Sequence, residues 1–327
     1  GIESTACKPE WVEGLNRMNM NWVSSNFAKS TFEKMEYEKK SKHNNQPIGV
    51  VKLEKPIYVI FEGVDLNIYK PLKNSELKTF DLSDIKEEFC YLFVGHWMNG
   101  AFGHDRKNVS LLVKSFYETF KNKKKKPALI LKASTGVAGY ISRDEILDKI
   151  KNIRKSVNSK ILPNIYVLNG EFTDSEMNEL YNHPKIKAMV SLTKGEGFGR
   201  PLLEFTTTGK PVIASGWSGH TDFLNKEYST LLPGELEPVH QSAANNWLIQ
   251  EAKWFKPDNR YIGQVLRDIF QKPKEFQSKA KRQKYYSQKN FSWDNMKKLV
   301  GTTLENNLPT FAQKIELNLP KLNLPKL

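Results

Sequence analysis

The sequence predicts an α/β fold with a Rossmann-like parallel sheet. From residue 89 onward, short apolar runs bounded by Gly, Pro or Asn alternate with helical patterns, which is typical of strands buried on both faces. Repeated strand, helix and strand units form parallel sheets with right-handed crossovers. The predicted strands are FCYLFVG (89–95), ALILKAS (128–134), NIYVLNG (164–170), KAMVSLT (187–193) and PVIASG (211–216).

Two of the intervening helices have signals of their own. Thr173 and Glu176 form a capping box at the start of TDSEMNELY. Between the first two strands, one apolar stripe recurs at helical spacing and consists of Val109, Leu112, Val113, Phe116 and Phe120.

The segments that flank this region are less regular. Upstream, MNWVSSN (20–26) predicts a strand, residues 27–39 a helix, and IYVIFEGVD (57–65) a strand that enters a linker. Downstream, residues 257–270 and 292–308 predict terminal helices. The unit NLPKL then occurs twice, at 318–327, and its prolines break any helix. We expect a disordered or loosely docked extended tail there.

Composition limits the functional classes. The 327 residues are 39% hydrophobic and 11% aromatic, which suffices for two domains with real cores. The formal net charge of +14 favours anionic partners: phosphates, nucleotides, nucleic acid or an acidic membrane surface. The alternative is simply a Lys-rich surface. The run KNKKKKP (121–127) has the same two interpretations, a solvated helix end or a polyanion site.

The cysteine count and the lack of targeting signals in the sequence predict a cytoplasmic protein. Cys7 and Cys90 are too few for a disulfide framework, so a reducing compartment is expected. The sequence has neither a run of about 18 apolar residues nor a signal-peptide pattern, so no transmembrane segment is expected. The chain begins with Gly rather than Met, which suggests a trimmed or truncated start.

The Gly-rich turn, residues 195–199, follows the fourth predicted strand. Because ligands bind beyond the carboxyl ends of parallel strands, we expect a ligand there. Gly195, Gly197 and Gly199 permit positive φ and remove side chains that would keep a ligand from the backbone. Pro201 fits the first turn of a two-turn helix that ends near Gly209, and the N–H groups at its start suit a phosphate or a sugar oxygen.

The two glutamates beside this turn suit hydroxyl groups. Glu204 lies just inside the helix, where its carboxylate can accept hydrogen bonds from two neighbouring hydroxyls, the pattern that a ribose presents. Glu196 lies in the turn itself and is suited to a second sugar.

The stretch GEGFGRPLLEFTTTGKPVIAS (195–215) resembles the donor-binding signature of retaining GT-B glycosyltransferases, in which seven residues separate two glutamates. The resemblance extends over residues 10 to 300. NWVSSNFAKSTF (21–32) is similar to the end of the acceptor domain and IYVIFEGVD to the interdomain linker. LFVGH (92–96) with RKNVSLLVKSF (106–116) resembles the first strand and helix of the donor domain, and WFKPD (254–258) an element of its last third. A GT-B fold is therefore expected, with a partial N-terminal α/β domain.

The resemblance implies roles for individual residues. Glu196 would contact the transferred sugar and hold the positive charge that develops at its anomeric carbon. Lys107, with Arg106 beside it, would neutralise the diphosphate leaving group. Glu204 would bind the ribose. The amides of Gly197, Phe198 and Gly199 would also bind the diphosphate. Glu171 and Phe172 would border the base of the nucleotide.

Two departures from the family pattern are visible. His96 stands where the family usually has an Arg, so one diphosphate contact is weakened or becomes pH-dependent, and Lys132 is expected to supply the missing charge. In addition, only residues 1–61 match the acceptor domain. We expect an acceptor remnant with its linker at 1–70, a donor domain at 71–288, and a crossover helix with a tail at 289–327.

The resulting hypothesis is transfer of a hexose from a UDP- or GDP-linked sugar, with retention of configuration and without a metal. The acceptor is unknown: a saccharide, a lipid or another molecule. Because most of the acceptor domain is missing, this chain alone is expected to transfer little or nothing. The alternative is a non-catalytic module that binds nucleotide sugars or, through its basic surface, nucleic acid.

Other side chains are expected to be structural. The histidines at 43, 104, 183, 220 and 240 show no metal-ligand spacing. For His220, a position facing the ligand cleft is the alternative to a structural role. Trp254 and Trp293 are expected to anchor the core rather than to form platforms for sugar rings.

Overall fold

A six-stranded parallel sheet forms the centre of the molecule. The computed structural model describes residues 2–41 and 43–308. The sheet has the strand order β10-β9-β8-β5-β6-β7, and the five strands predicted from the apolar runs are all in it. Its members are β5 (Cys90–His96), β6 (Ala128–Ser134), β7 (Ile165–Leu168), β8 (Ile186–Ser191), β9 (Val212–Ser215) and β10 (Thr230–Leu232). The α/β class with a parallel sheet is therefore confirmed.

Helices cover both faces of this sheet. They are α3 (Val109–Phe120), α4 (Tyr140–Lys155), α5 (Asp174–Asn182), α6 (Arg200–Thr206), α7 (Asn259–Gln271) and α8 (Pro273–Asn290). Successive residues of β5 alternate between the two cores, because side chains point to opposite faces of a strand. Tyr91 and Phe93 pack in the core that contains α3, α4 and α7. Leu92 packs in the core that contains α5 and α6.

The N-terminal segment forms two small sheets beside this unit. Its elements are α1 (Pro9–Asn16), β1 (Asn21–Val23), α2 (Asn26–Glu33), β2 (Glu36–Lys40), β3 (Pro47–Lys52) and β4 (Ile57–Val59). Strands β1 and β4 pair in parallel, and β2 and β3 pair as an antiparallel hairpin.

The helix predicted over 27–39 is correct only in its first half. It ends at Glu33, and residues 36–40 instead pair with 47–52 in the β2–β3 hairpin. The Glu and Lys residues of EYEKK favour a helix by local propensity, but cross-strand hydrogen bonds to a β-branched partner strand override that preference. The strand predicted from residue 57 ends early, at Val59.

The C-terminal part returns to the N-terminal segment. Strands β11 (Gly234–Pro238) and β12 (Lys253–Pro257) form an antiparallel hairpin that precedes α7. Helix α9 (Trp293–Asn307) contacts the linker region, because Val64 pairs with Ser292 and Tyr58 Oη donates to Asn307 Oδ1 at 2.5 Å. The NLPKL repeat lies outside the described residues.

Helix α8 was not predicted, since it lacks an apolar stripe. The residues that it buries are small or polar: Ala280, Gln283 and Ser287. Among the described helices, none combines the length and the apolar composition that crossing a bilayer requires. Cys7 and Cys90 are both buried free thiols, and burial raises the pKa of each to about 12.

Candidate functional site

The Gly-rich turn lies at the carboxyl end of β8 and leads directly into α6, as expected. The helix is seven residues long, with Pro201 in its first turn, and Gly209 follows it with a φ of +72°. Of the three glycines in the turn, only Gly199 has a positive φ, at +96°. Gly195 is required for a different reason, because a Cβ there would collide with the backbone carbonyl of Glu3. Positive φ thus accounts for Gly199, and close approach of another backbone accounts for Gly195.

A cluster of two cations and one carboxylate stands at this edge. Lys107 and Arg106 lie between β5 and α3, and Glu196 lies in the turn after β8, the strand that pairs with β5. Lys107 Nζ is 2.5 Å from Glu196 Oε1, and Arg106 Nη1 is 3.6 Å from Glu196 Oε2. Glu196 is buried, with 6% exposure. The cluster joins the sequence-predicted sugar and diphosphate residues in one place.

The charge of Glu196 is strongly stabilised. Burial would raise the pKa of this carboxyl group, but Lys107 and Arg106 beside it lower that pKa from 4.5 to about 2. The backbone N–H of Glu196 donates to Ser218 Oγ at 2.9 Å, which fixes the turn. Glu196 is therefore an anion throughout the physiological pH range, aimed at two cations.

Glu204 has a different environment. Its carboxylate accepts hydrogen bonds from Arg200 Nε at 3.0 Å and from Tyr181 Oη at 3.2 Å. Burial raises the pKa of Glu204 from 4.5 to about 7, although Arg200 opposes that shift. The two glutamates of one short segment thus differ by about five pKa units, because the cations that face Glu196 outweigh its burial.

Glu204 faces a cavity of about 250 Å³ between α6, the linker and the start of α9. Tyr69, Asp174 and Trp293 also line it, and Tyr69 Oη donates to Asp174 Oδ1 at 2.9 Å. Trp293 is 44% exposed here, so the expectation that it anchors the core was wrong. Trp254, by contrast, is fully buried. The cavity is lined by hydroxyl, carboxylate and guanidinium groups suited to a polar ligand.

The remaining predicted residues lie on the neighbouring strand ends. His96 Nδ1 is 2.8 Å from Ser134 Oγ, and burial followed by Lys107 lowers the pKa of His96. Lys132 Nζ donates to the carbonyl oxygen of Gly170 at 2.8 Å and lies 4.7 Å from the centre of the Phe172 ring. Lys132 therefore extends toward the segment of Glu171 and Phe172, on the side expected for the base. Glu171 is exposed and Phe172 is half-buried.

Several residues of the site were not predicted. Arg200 is four positions before Glu204, a helical spacing that the sequence does display. Tyr181 and Ser218 carry no sequence signal, because their contacts depend on how α5 and the loop after β9 pack. His220 is fully buried behind Gly199, and its Nε2 is 2.6 Å from the carbonyl oxygen of Ser215, so it does not face open space.

The N-terminal segment also contacts the turn. Ser25 Oγ donates to the carbonyl oxygen of Gly197 at 2.6 Å, and the backbone N–H of Asn26 donates to Asp222 Oδ2 at 2.7 Å. Arg106 Nη1 lies 3.2 Å from Glu3 Oε1. Residues from the first 26 positions therefore form one wall of the site.

Comparison with known proteins identifies the fold. No protein-family model and no curated protein matches the sequence. Among solved structures, HepE of Anabaena, in complex with UDP and glucose, is similar with a TM-score of 0.60 and 12% identity over 91% of this chain and 66% of HepE. Sucrose-phosphate synthase of Thermosynechococcus elongatus is similar with a TM-score of 0.62 and 15% identity over 90% of this chain and 60% of that one.

A third similar structure is a glycosyltransferase of Rickettsia africae, with a TM-score of 0.60 and 17% identity over 92% of this chain and 68% of that protein. The chain spans less than two thirds of the length of HepE and of the synthase. The chain has the GT-B glycosyltransferase fold.

Proposed function

We propose that this chain carries the donor site of a glycosyltransferase, which moves a hexose from a UDP- or GDP-linked sugar to an acceptor with retention of configuration. The observation that carries the proposal is the cluster of Lys107, Arg106 and Glu196 at the carboxyl edge of the sheet. Two cations beside one buried carboxylate suit a substrate that becomes a diphosphate anion and a positively charged sugar in the transition state.

Each residue has a distinct part in this proposal. Lys107 and Arg106 neutralise the diphosphate as its bond to the sugar breaks. Their pairing with Glu196 holds them in position beforehand, so little reorganisation is needed. Glu196, ionised at every working pH, then faces the positive charge at the anomeric carbon. Because two cations perform the neutralisation, no metal ion is assigned to the reaction.

The nucleotide is assigned to the other half of the site. Glu204 accepts hydrogen bonds from the ribose hydroxyls in the cavity that it shares with Arg200 and Tyr69. Phe172 and Lys132 border the base, and the amides of Gly197, Phe198 and Gly199 complete the phosphate cradle. The structures of HepE in complex with UDP and with UDP-glucose support a nucleotide-sugar donor, since they share this fold.

We assign residues 1–70 to the end of the acceptor domain and the linker, 71–288 to the donor domain, and 289–327 to the crossover helix and tail. The contact of α9 with β4 and the linker supports this division. A cytoplasmic location is part of the same proposal, and the two free thiols support it.

The test is release of nucleoside diphosphate from a panel of UDP- and GDP-linked hexoses. The proposal predicts slow release from at least one donor, abolished by Lys107→Met. Lys114→Met is the matched control, because Lys114 lies on α3, the helix that follows Lys107, with its Nζ 5.6 Å from the centre of the Phe102 ring, and should leave release unchanged. Donor binding without release would favour the non-catalytic module. Salt-sensitive binding of RNA without donor binding would favour the nucleic-acid module.

A further inference from the structure

A cavity of about 380 Å³ lies at the amino edge of the central sheet, where β5, β8 and β9 begin, and the start of α8 also lines it. This edge is opposite the one that carries Lys107 and Glu196, because the three strands run parallel. The volume is within the range of small-molecule sites, about 300 to 1,000 Å³. The cavity is therefore separate from the candidate functional site.

Three lysines line this cavity. Lys187 is on β8, Lys210 comes just before β9, and Lys274 is on α8. In the part of the chain that the structure describes, none of the three has a carboxylate oxygen within 4.0 Å of its ammonium nitrogen. Glu88 and Glu275 are next to lining residues in the sequence, but neither of them lines the cavity. The charged side chains of the lining are thus all cationic.

Lys210 is the least exposed of the three. It is half-buried, whereas Lys187 and Lys274 are exposed. Its Nζ caps the end of α5 by donating to the backbone carbonyl oxygens of Tyr181 at 2.6 Å and of His183 at 3.0 Å. An ammonium group has three N–H donors, so these contacts leave one for a ligand. Burial, to which the charge of Lys187 adds, lowers the pKa of Lys210 from 10.5 to about 7, and an anion in the cavity would offset that cost.

The rest of the lining is mostly apolar. It consists of Phe89, Pro184, Ile186, Pro211 and Pro273, with Gln277 as a further polar residue. Ile186 and Pro211 are buried, and Phe89 is half-buried. An apolar wall with a few convergent polar groups is the usual composition of a small-molecule site, and a bare inorganic anion would leave that wall without a partner. The lining therefore suits a ligand that has an apolar body and an anionic end.

We propose that this cavity, which we call the amino-edge cavity, binds a small organic anion. The phosphate or carboxylate group of the ligand meets the ammonium groups of Lys187, Lys210 and Lys274, as charge-assisted hydrogen bonds require. Its apolar body lies against Phe89 and the neighbouring prolines. The amino-edge cavity does not depend on the proposed donor site, since the two lie at opposite ends of β8.

The test is calorimetric titration of the 327-residue chain with phenyl phosphate and with benzoate. Inorganic phosphate and benzyl alcohol are the comparison compounds, because each has only one half of the proposed ligand. We expect at least one of the two aromatic anions to bind more tightly than both comparison compounds. If only one of them binds, its anionic group is the one that the site takes. Absence of binding of both aromatic anions, or an affinity no higher than that of a comparison compound, would overturn the proposal.

A double variant tests the location. Lys187→Gln with Lys274→Gln removes two exposed cations and should weaken binding of the aromatic anion about three- to tenfold, the range of two partly exposed ion pairs. Lys39→Gln with Lys40→Gln, on exposed positions of β2, makes the same change in net charge and should retain binding. Equal losses in the two double variants would also contradict the proposal.

Lys107→Met separates this site from the proposed donor site, which also takes a phosphate group. Binding of the aromatic anion should be unchanged in Lys107→Met and reduced in Lys187→Gln with Lys274→Gln. The reverse pattern would place the anion beside Lys107, and it would overturn this proposal while leaving the proposed function intact.

Discussion

Lys107 Nζ lies 2.5 Å from Glu196 Oε1, although the two residues are 89 positions apart in the chain. The contact exists because β5 and β8 are neighbours in the sheet, so the loops that follow them meet at one edge. In the proposed reaction the Lys107 ammonium faces the diphosphate and the Glu196 carboxylate faces the sugar.

The first prediction concerns the phosphate groups. A nucleoside diphosphate should stabilise the fold more than the corresponding monophosphate, because the second phosphate reaches Lys107 and Arg106. At a concentration of about 100 Kd, binding contributes about 3 kcal/mol of stability. Thermal-shift series with both ligands measure the difference. Lys107→Met should reduce the gap, and equal shifts for the two ligands would contradict this placement of the diphosphate.

The second prediction separates the two glutamates. Glu204→Gln should weaken nucleotide binding itself, because ribose contacts are present in every bound state. Glu196→Gln should not weaken nucleotide binding, because its carboxylate competes with the diphosphate for Lys107 and Arg106. It should lower the turnover of the nucleotide sugar by about a hundredfold or more, as loss of a transition-state contact does. Calorimetry with nucleotide alone, followed by donor-release kinetics, compares the two. Identical profiles for both variants would contradict the assignment.

The third prediction is a pH dependence. Glu204 keeps its proton in the fold up to about pH 7, whereas the unfolded chain releases it near 4.5. The stability that this proton contributes is therefore full below pH 4.5 and is lost as the pH rises through 7. Between pH 4.5 and 8 the free energy of unfolding of the unaltered chain should fall by about 3 kcal/mol relative to that of Glu204→Gln. Urea unfolding at several pH values measures this, with the exposed Glu227→Gln as control. Parallel profiles for the unaltered chain and Glu204→Gln would refute it.

The fourth prediction concerns Glu3. Its carboxylate lies 3.2 Å from Arg106 Nη1 and is partly exposed, so it competes with a phosphate for that guanidinium. Glu3→Gln should therefore raise the affinity for a nucleoside diphosphate about two- to fivefold, the range of a partly exposed ion pair. The same titration with Glu10→Gln, an exposed residue of α1, controls for the change in net charge. A lower affinity in Glu3→Gln would show that this carboxylate supports the site instead.

Part of the fold was predictable because its signals are local. The five central strands are apolar runs with turn residues at both ends, and α6 is fixed by Pro201 and Gly209. Helix α8 and the hairpin β2–β3 were missed since they bury little apolar surface and their residues are mostly charged or exposed. The hairpin β11–β12 was also missed, because β11 is mostly exposed, although β12 buries Trp254 and Phe255. Their formation depends on partners elsewhere in the chain, which periodicity does not reveal.

The candidate site was likewise predictable only in part. The meeting of Glu196 with Lys107 follows from the rule that ligand sites lie beyond the carboxyl ends of parallel strands, together with the family resemblance. The sequence did not predict that Tyr181 contacts Glu204 or that Glu3 contacts Arg106. Each comes from a segment whose docking depends on tertiary packing rather than on sequence spacing.

The central claim is that the edge beside Glu196 and Glu204 binds a nucleotide diphosphate sugar. Calorimetric titration of the 327-residue chain with UDP-glucose and a panel of other UDP- and GDP-linked hexoses tests it most directly. The account predicts saturable binding of at least one donor, weakened by both Lys107→Met and Glu204→Gln and unaffected by Lys114→Met. Absence of binding to every donor, or binding that none of these substitutions alters, would contradict it.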